Sequence, residues 1–177
     1  GTNAAAGITI TNSGAITVAT GANTSVGIYA ANAGNAAVVV NNSGVIDPAT
    51  YGFVATGAGN VTVNNSNNVT GTLVGIHAET SGAAPFTASV FDTNLGTVIG
   101  QTGNGIEDFA TGGGNVIVDT SLGSNITGGL NGIQTGVTGG AGVTTINTLT
   151  SAASTAILVT GQGADGIPAN SSSNGKI

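Results

Sequence analysis

The chain has 177 residues, with one Lys or Arg, seven Asp or Glu, and a formal net charge of −6 at pH 7. Nucleic acids and anionic lipid surfaces are bound through clusters of basic side chains, so this composition argues against both as partners. Cysteine is absent, which excludes a disulfide scaffold and a thiolate metal site. No apolar run reaches the ~18 residues of a membrane-spanning helix, so insertion of this segment into a membrane is not expected.

A motif of alternating apolar and polar residues, followed by an Asn-rich corner, recurs along the chain. It occupies residues 8–16, 38–46 and 61–69, and looser copies occupy residues 90–99 and 116–126. Val, Ile and Thr favour strands because their Cβ is branched, whereas Asn, Gly and Ser favour turns. Each copy therefore predicts a short strand with its apolar side chains on one face, followed by a turn.

A second motif, glycine followed by an apolar residue, recurs about halfway through each copy. It is found at Gly27-Ile28, Gly52-Phe53, Gly75-Ile76, Gly105-Ile106, Gly132-Ile133 and, in weaker form, Ala156-Ile157. The apolar members are 23–30 residues apart. Two motifs that advance together at such a period indicate a repeat architecture. They predict about six coils of an all-β fold, a parallel β-helix or β-solenoid, which the crossover rule makes right-handed.

Stacked coils bury a continuous apolar core that no single coil could bury alone. We expect alternating positions of the first motif to face inward: Ile8, Ile10, Val38, Val40, Val61, Val63, Val116 and Val118. The isoleucines of the Gly-apolar motif are expected to lie opposite them. Asn12, Asn42 and Asn65 are expected to stack as an amide ladder along one corner. Residues 1–160 are predicted to form the solenoid, and residues 161–177 have the Gly/Ser/Asn-rich composition of a tail or linker.

The Val-x-Val-x-Asn-Ser-Gly-x-Ile motif, followed by Gly-Ile in a coil rich in Gly, Asn and Thr, resembles the passenger β-helices of bacterial autotransporters and related filamentous-haemagglutinin-like adhesins. The resemblance covers residues 7–160 and is one of repeat style. It implies a right-handed β-helix at the bacterial cell surface that serves adhesion, aggregation or biofilm formation. A leader, a membrane barrel and a protease site are absent from the sequence, so we expect a piece or a mature secreted portion of such a protein. The charged fraction of 5%, against about a quarter in ordinary domains, also favours an extracellular location.

The titratable side chains give little support to an enzyme. A polysaccharide lyase would need a base and cations, for which only Lys176 and His77 are available, and His77 is expected to form a solvent-facing pair with Glu79. A glycoside hydrolase needs two carboxylates in one groove. The acidic residues that could supply them are Glu107, Asp108, Asp92 and Asp119. Glu107 and Asp108 are adjacent, so on a strand they point to opposite faces.

The same acidic residues bear on metal binding. A weak calcium site built from Asp92, Asp108 and Asp119 is conceivable, because calcium prefers oxygen ligands, but a regular calcium-binding roll is not indicated. We therefore assign no catalytic residue, no cofactor-binding residue and no metal ligand, and no cofactor is expected.

The sequence favours a non-enzymatic extracellular scaffold. Its expected partners are further copies of itself, bound laterally or end to end, or glycans and proteins of a cell surface. The alternative is a subunit of an extracellular fibre stacked end to end, and a polysaccharide-active enzyme is a more distant one. Binding specificity is expected where the period is broken. The longest insertion covers residues 79–86 and ends at Phe86, which is expected to act as a plug against the core.

Overall fold

The computed structural model describes residues 6–18, 25–93, 96–120, 124–148, 156–159 and 166–171. Its regular elements are strands throughout, and every strand pairing in it is parallel. The predicted all-β solenoid is therefore confirmed, with about five full turns between the first and the last coil. The right-handed winding stays a prediction. None of the described segments is a helix of the length and apolar character needed to cross a membrane.

Sixteen strands in the described residues build six coils. Coil 1 consists of β1 (Ile8–Asn12), β2 (Ile16–Thr17) and β3 (Val26–Asn32). Coil 2 consists of β4 (Val38–Asn42) and the long β5 (Ile46–Gly57), and coil 3 of β6 (Val61–Asn65) and the long β7 (Val69–Thr80). Coil 4 consists of β8 (Thr87–Asp92), β9 (Thr97–Gly100) and β10 (Asn104–Ala110). Coil 5 consists of β11 (Asn115–Asp119), β12 (Asn125–Gly128) and β13 (Asn131–Val137). Coil 6 consists of β14 (Thr144–Asn147), β15 (Ala156–Val159) and β16 (Ala169–Ser171).

The coils stack into three faces. The first face is a six-stranded sheet in the order β1-β4-β6-β8-β11-β14. The other ten strands form one sheet that is divided lengthwise into a second and a third face. The second face contains β2, β9, β12, β15 and the first residues of β5 and β7. The third face contains β3, β10, β13, β16 and the last residues of β5 and β7.

The Gly-apolar motif sets the register of the third face, as predicted for the first five copies. The apolar residues of successive coils are direct strand partners and are buried: Ile28, Phe53, Ile76, Ile106 and Ile133. The sixth assignment, Ala156-Ile157, is wrong, because Ile157 pairs with Ile126 on the second face. The third face is instead continued by Gly166, whose carbonyl accepts a hydrogen bond from the Ile133 amide at 3.0 Å.

The glycines of this motif form a column in which each Cα faces the next coil's backbone. A Cβ added to Gly27 would lie 2.7 Å from the carbonyl oxygen of Gly52, and one added to Gly52 would lie 2.4 Å from that of Gly75. The same relation holds between Gly75 and Gly105, at 2.6 Å. Only hydrogen fits in this space. The motif therefore contains glycine because the coils approach one another too closely for any side chain there.

The segment 161–177, predicted as a tail, contributes a strand to the sheet. Ala169–Ser171 pairs with Thr135–Val137 of β13 and extends the third face by one coil. Residues 160–165 and 172–177, including the predicted boundary at residue 160, lie outside the described part of the chain.

The core forms from the predicted positions of the first face. Val38, Val40, Val61, Val63, Val116 and Val118 are fully buried. Ile8 and Ile10 are partly buried and pack against this core, because β1 has a neighbouring strand on one side only within the described residues. The rest of the core in the described residues consists of further Val side chains together with Ala, Ile and one aromatic ring, Phe53.

The predicted amide ladder is present at the corner that follows the first face. Asn12 donates through Nδ2 to Asn42 Oδ1 at 2.8 Å, and Asn42 donates in the same way to Asn65 Oδ1 at 2.8 Å. Each amide also binds the carbonyl oxygen two residues ahead, which holds the turn. The ladder then reaches Asp92, whose Oδ1 accepts from Asn65 Nδ2 at 2.9 Å. This acidic end of the ladder was not predicted from the Asn-rich motif.

Replacing Asn42 by alanine should lower the free energy of unfolding by about 2 to 4 kcal/mol. Asn42 is 3% exposed, and its loss would leave the Gly44 carbonyl and the Asn65 amide oxygen without the hydrogen bonds that it donates to them. Urea denaturation followed by circular dichroism measures the effect. Asn41→Ala is the matched control, since Asn41 is the neighbouring half-buried amide on the outer face and accepts only from Asn64 in the described hydrogen bonds. Equal losses in the two variants would contradict a special role for the ladder.

Candidate functional site

The outer surface of the third face carries a row of side chains in register from coil to coil. Side chains alternate along a strand, so the residue after each buried apolar anchor points outward. In successive coils the strand partners at this position are Tyr29, Val54, His77, Glu107 and Gln134. The row changes from aromatic and apolar in coils 1 and 2 to polar in coils 3 to 5.

A groove of about 550 Å³ lies along the apolar part of this row. Its walls include both tyrosines of the chain, Tyr29 and Tyr51, together with Val54 and Leu73, and its polar end is formed by His77 and Glu107. Tyr29 is 63% exposed and Leu73 38% exposed. Large apolar and aromatic side chains thus remain open to solvent on a sheet of paired strands.

The polar end of the groove is a connected hydrogen-bond network. His77 Nδ1 lies 2.8 Å from Glu107 Oε2, and Glu107 Oε1 accepts from Asn104 Nδ2 at 2.6 Å. The same Asn104 amide donates to Gln134 Oε1 at 2.7 Å, and Asn104 accepts from Asn131 Nδ2 at 2.7 Å. Partial burial of Glu107 raises its carboxyl pKa, but the hydrogen bonds from His77 and Asn104 outweigh this and lower the pKa below its usual value. Glu107 is therefore ionised at neutral pH.

His77 forms its predicted pair with Glu79 and a second, shorter one with Glu107. Its Nε2 lies 3.6 Å from Glu79 Oε2, whereas the short contact is with Glu107 on the next coil. The His77 ring also lies near Phe109, with ring centroids 6.0 Å apart. Glu79 is two residues away in sequence, and the alternation of side chains along a strand predicts that it lies on the same face as His77. Glu107 is 30 residues away and becomes a neighbour only through the coil register, which the Gly75-Ile76 and Gly105-Ile106 motifs could have indicated.

The structure disperses the acidic residues that could have served a hydrolase or a metal site. Glu107 and Asp108 point to opposite sides of β10, as expected, with Asp108 fully buried. Asp92 is buried at the end of the amide ladder, and Asp119 pairs with Phe91 on the first face. No three acidic or histidine side chains come together as possible metal ligands within the described residues. Lys176, the only lysine, lies outside those residues.

Two of these carboxyl groups are strongly affected by burial. Burial raises the pKa of Asp92 to about 6, against the opposing effect of hydrogen bonds with Ser124 and Asn65. Burial also raises the pKa of Asp108 well above 3.8, and neither of its oxygens has a hydrogen-bond partner among the described residues. Both groups lie inside the solenoid, away from the groove. Their effect is therefore on the stability of the fold.

The insertion at residues 79–86 begins with the last two residues of β7 and continues as a loop over residues 81–86. Phe86 is half-buried, and its ring lies so close to Gly82 that a Cβ added there would come within 2.6 Å of a ring carbon. Its amide donates to the Ala83 carbonyl at 3.1 Å. Phe86 thus packs on the backbone of its own loop, and the exposed aromatic side chain is Tyr29, in a regular coil rather than at the insertion.

Comparison of the chain with models of protein families, with curated proteins and with solved structures finds no match. The functional assignment therefore rests on the geometry of the solenoid and its groove.

Proposed function

We propose that the chain is a structural and adhesive β-solenoid that acts outside the cell, at a bacterial surface, in attachment, aggregation or biofilm formation. The observation that carries this proposal is the groove of exposed aromatic and apolar side chains on the rigid third face, around Tyr29 and Leu73. Exposed side chains of this kind mark surfaces that bind other molecules.

The construction of the solenoid suits a load-bearing scaffold. Each interior strand is hydrogen-bonded to the strand above and to the strand below, so a force along the axis is shared by the backbones of three faces. The charged fraction of only 5% also supports close contact with another surface. Few charged side chains lose their hydration when such a surface is buried, so the free-energy cost of desolvation is low.

The polar groups of the groove support binding without catalysis. Both oxygens of Glu107 are held by neighbouring side chains, His77 and Asn104. Asp108, the nearest carboxyl in sequence, is in the core. Glu79, the other carboxylate beside His77, accepts a hydrogen bond from Thr111. A hydrolase of the two-carboxylate type would need a second carboxylate facing Glu107 across the substrate.

The proposal is tested by displaying the chain on a non-adherent bacterial strain through an outer-membrane anchor. We expect displaying cells to sediment faster or to be retained on epithelial cell layers, with Gly14→Ala behaving as the unmodified chain. Gly75→Ala, whose added Cβ would lie 2.6 Å from the carbonyl oxygen of Gly105 in the next coil, should disrupt the stacked coils and abolish the effect. Cells that display correctly folded chain and yet remain dispersed and unattached would contradict the proposal.

The alternative is a fibre subunit, favoured by the strands β1 and β14, each of which has one neighbour within the described residues. Unpaired strand edges can be extended by another chain. Electron microscopy of the purified chain, with light scattering over a concentration series, separates the two functions. Long unbranched filaments would establish the fibre, whereas short monomeric rods at every concentration would eliminate it.

A further inference from the structure

We propose that the groove on the third face binds a neutral pyranose oligosaccharide that lies along the row from Tyr29 towards Gln134. This inference rests on the proposed adhesive function and deepens it by naming the class of ligand. It is carried by three properties of the described surface: one exposed and one half-buried aromatic ring, the sign of the local charge, and the spacing of the coils.

The aromatic rings fit the shape of a sugar. A pyranose ring presents axial C–H groups on one face, and this apolar face packs on an aromatic ring while the hydroxyl groups at its rim remain free for hydrogen bonds. Tyr29, at 63% exposure, offers an open ring face, and Tyr51 and Leu73 extend the apolar floor beside it. Tyrosine also has a hydroxyl at its tip, which suits a partner that is apolar in the middle and polar at its edge.

The charge of the groove selects against acidic sugars. Glu107 is ionised, and Glu79 lies close to it on the far side of His77. The whole chain has no arginine, and its only lysine is Lys176. A uronate or sialate would meet like charge, and no lysine or arginine among the described residues could pair it. Neutral hydroxyl groups, in contrast, can bind to the imidazole, carboxylate and amide groups that follow one another along the row.

The spacing of the row matches a chain of sugars. Adjacent strands are about 4.8 Å apart, so side chains at equivalent positions repeat at that interval along the solenoid. This interval is close to the length of one pyranose unit in an extended chain. Successive sugars can therefore contact successive coils, from Tyr29 in coil 1 through Val54 and His77 to Glu107 in coil 4.

The purified full chain offers a direct assay, because it has no tryptophan and both of its tyrosines line the groove. Tyrosine fluorescence and titration calorimetry would be recorded with the neutral hexasaccharides of cellulose, amylose, laminarin and mannan, and with tetragalacturonate as the anionic probe. We expect a saturable fluorescence change with at least one neutral probe and none with tetragalacturonate. Tyr29→Ala should weaken that binding by about tenfold or more. Val45→Ala, a change at an exposed apolar residue outside the groove, should leave it unaltered.

The proposal is overturned if no neutral probe binds at millimolar concentration, if tetragalacturonate binds as tightly, or if Tyr29→Ala binds like the unmodified chain. Circular dichroism of Tyr29→Ala confirms that the variant is folded, which its exposed position favours. Display experiments keep the two proposals separate. Displayed chain that promotes adhesion without binding any neutral sugar would refute the groove ligand and leave the adhesive function standing.

Discussion

Gly75→Ala is expected to lower the free energy of unfolding by about 3 kcal/mol or more and to prevent stable folding at 37 °C. The new Cβ would lie 2.6 Å from the carbonyl oxygen of Gly105 and 2.7 Å from Cγ1 of Val98. The carbonyl belongs to the strand ladder of the next coil. It cannot withdraw without breaking the hydrogen bonds that hold coils 3 and 4 together.

Gly14→Ala is the matched control for this variant. A Cβ added to Gly14 meets no atom within 4 Å, and its backbone does not have a positive φ. Its stability should stay within about 0.5 kcal/mol of the unmodified chain. Urea denaturation monitored by circular dichroism gives both values. A midpoint for Gly75→Ala equal to that of Gly14→Ala would show that the glycine column does not limit the approach of the coils.

The folded chain is expected to be more stable at pH 5 than at pH 7.5. The folded-state pKa of Asp92 is about 6, and that of Asp108 lies well above 3.8, whereas both carboxyl groups titrate near 3.8 in the unfolded chain. Above about pH 4 the folded state therefore holds more protons, so the free energy of unfolding falls as pH rises. For Asp92 the loss occurs between about pH 4 and pH 6 and reaches about 3 kcal/mol. For Asp108, burial likewise makes the free energy of unfolding fall as pH rises above the ordinary pKa of the carboxyl group.

Glu107 does not cancel this trend. Its pKa is lowered, so its contribution is present above its ordinary pKa and is lost only in more acidic solution. Urea denaturation at pH 5 and at pH 7.5 therefore measures the effect of the two buried aspartates.

Two substitutions test whether Asp108 and Asp92 cause the pH dependence of the free energy of unfolding. Asp108→Ala introduces the residue that occupies the same ladder position in the three preceding coils, Ala30, Ala55 and Ala78. Asp92→Asn continues the amide ladder. Each variant should be more stable than the unmodified chain at pH 7.5, and together they should remove most of the difference between the two pH values. Asp47→Asn, at an exposed carboxyl, is the control. A pH dependence that survives in the double variant would contradict this account.

The repeats made the solenoid predictable because each core position occurs many times. The valines of β4, β6 and β11 carry the same alternation, so their burial follows from one pattern, and the stacking of Asn12, Asn42 and Asn65 follows from their equal place in it. The prediction was wrong at the sixth Gly-apolar position, where the motif is weakest. Ala156-Ile157 keeps an isoleucine but lacks the glycine that marks the close approach between coils.

The candidate site was less predictable, since it depends on neighbours that occur once. Tyr29 has Val54 as its partner in the next coil, and the His77–Glu107 contact joins coils 3 and 4 only. No repeated motif points to these residues. The coil register, once established, places them in one row, but their contacts and exposure require side-chain geometry. The buried state of Asp108 could have been suspected from alternation, because it lies two residues after Ile106 on the same side of β10.

The amide ladder gives the solenoid a polarity along its axis. Every rung donates in the same sense, from Asn12 to Asn42 to Asn65, and the final acceptor is Asp92. An amide passes a hydrogen bond onward because it both accepts and donates, whereas an ionised carboxylate only accepts. Asp92 is thus a terminator. Duplicated coils inserted before Asp92 would lengthen the solenoid and leave the hydrogen bonds of this corner unbroken. Coils added after Asp92 would need other interactions to stabilise that corner.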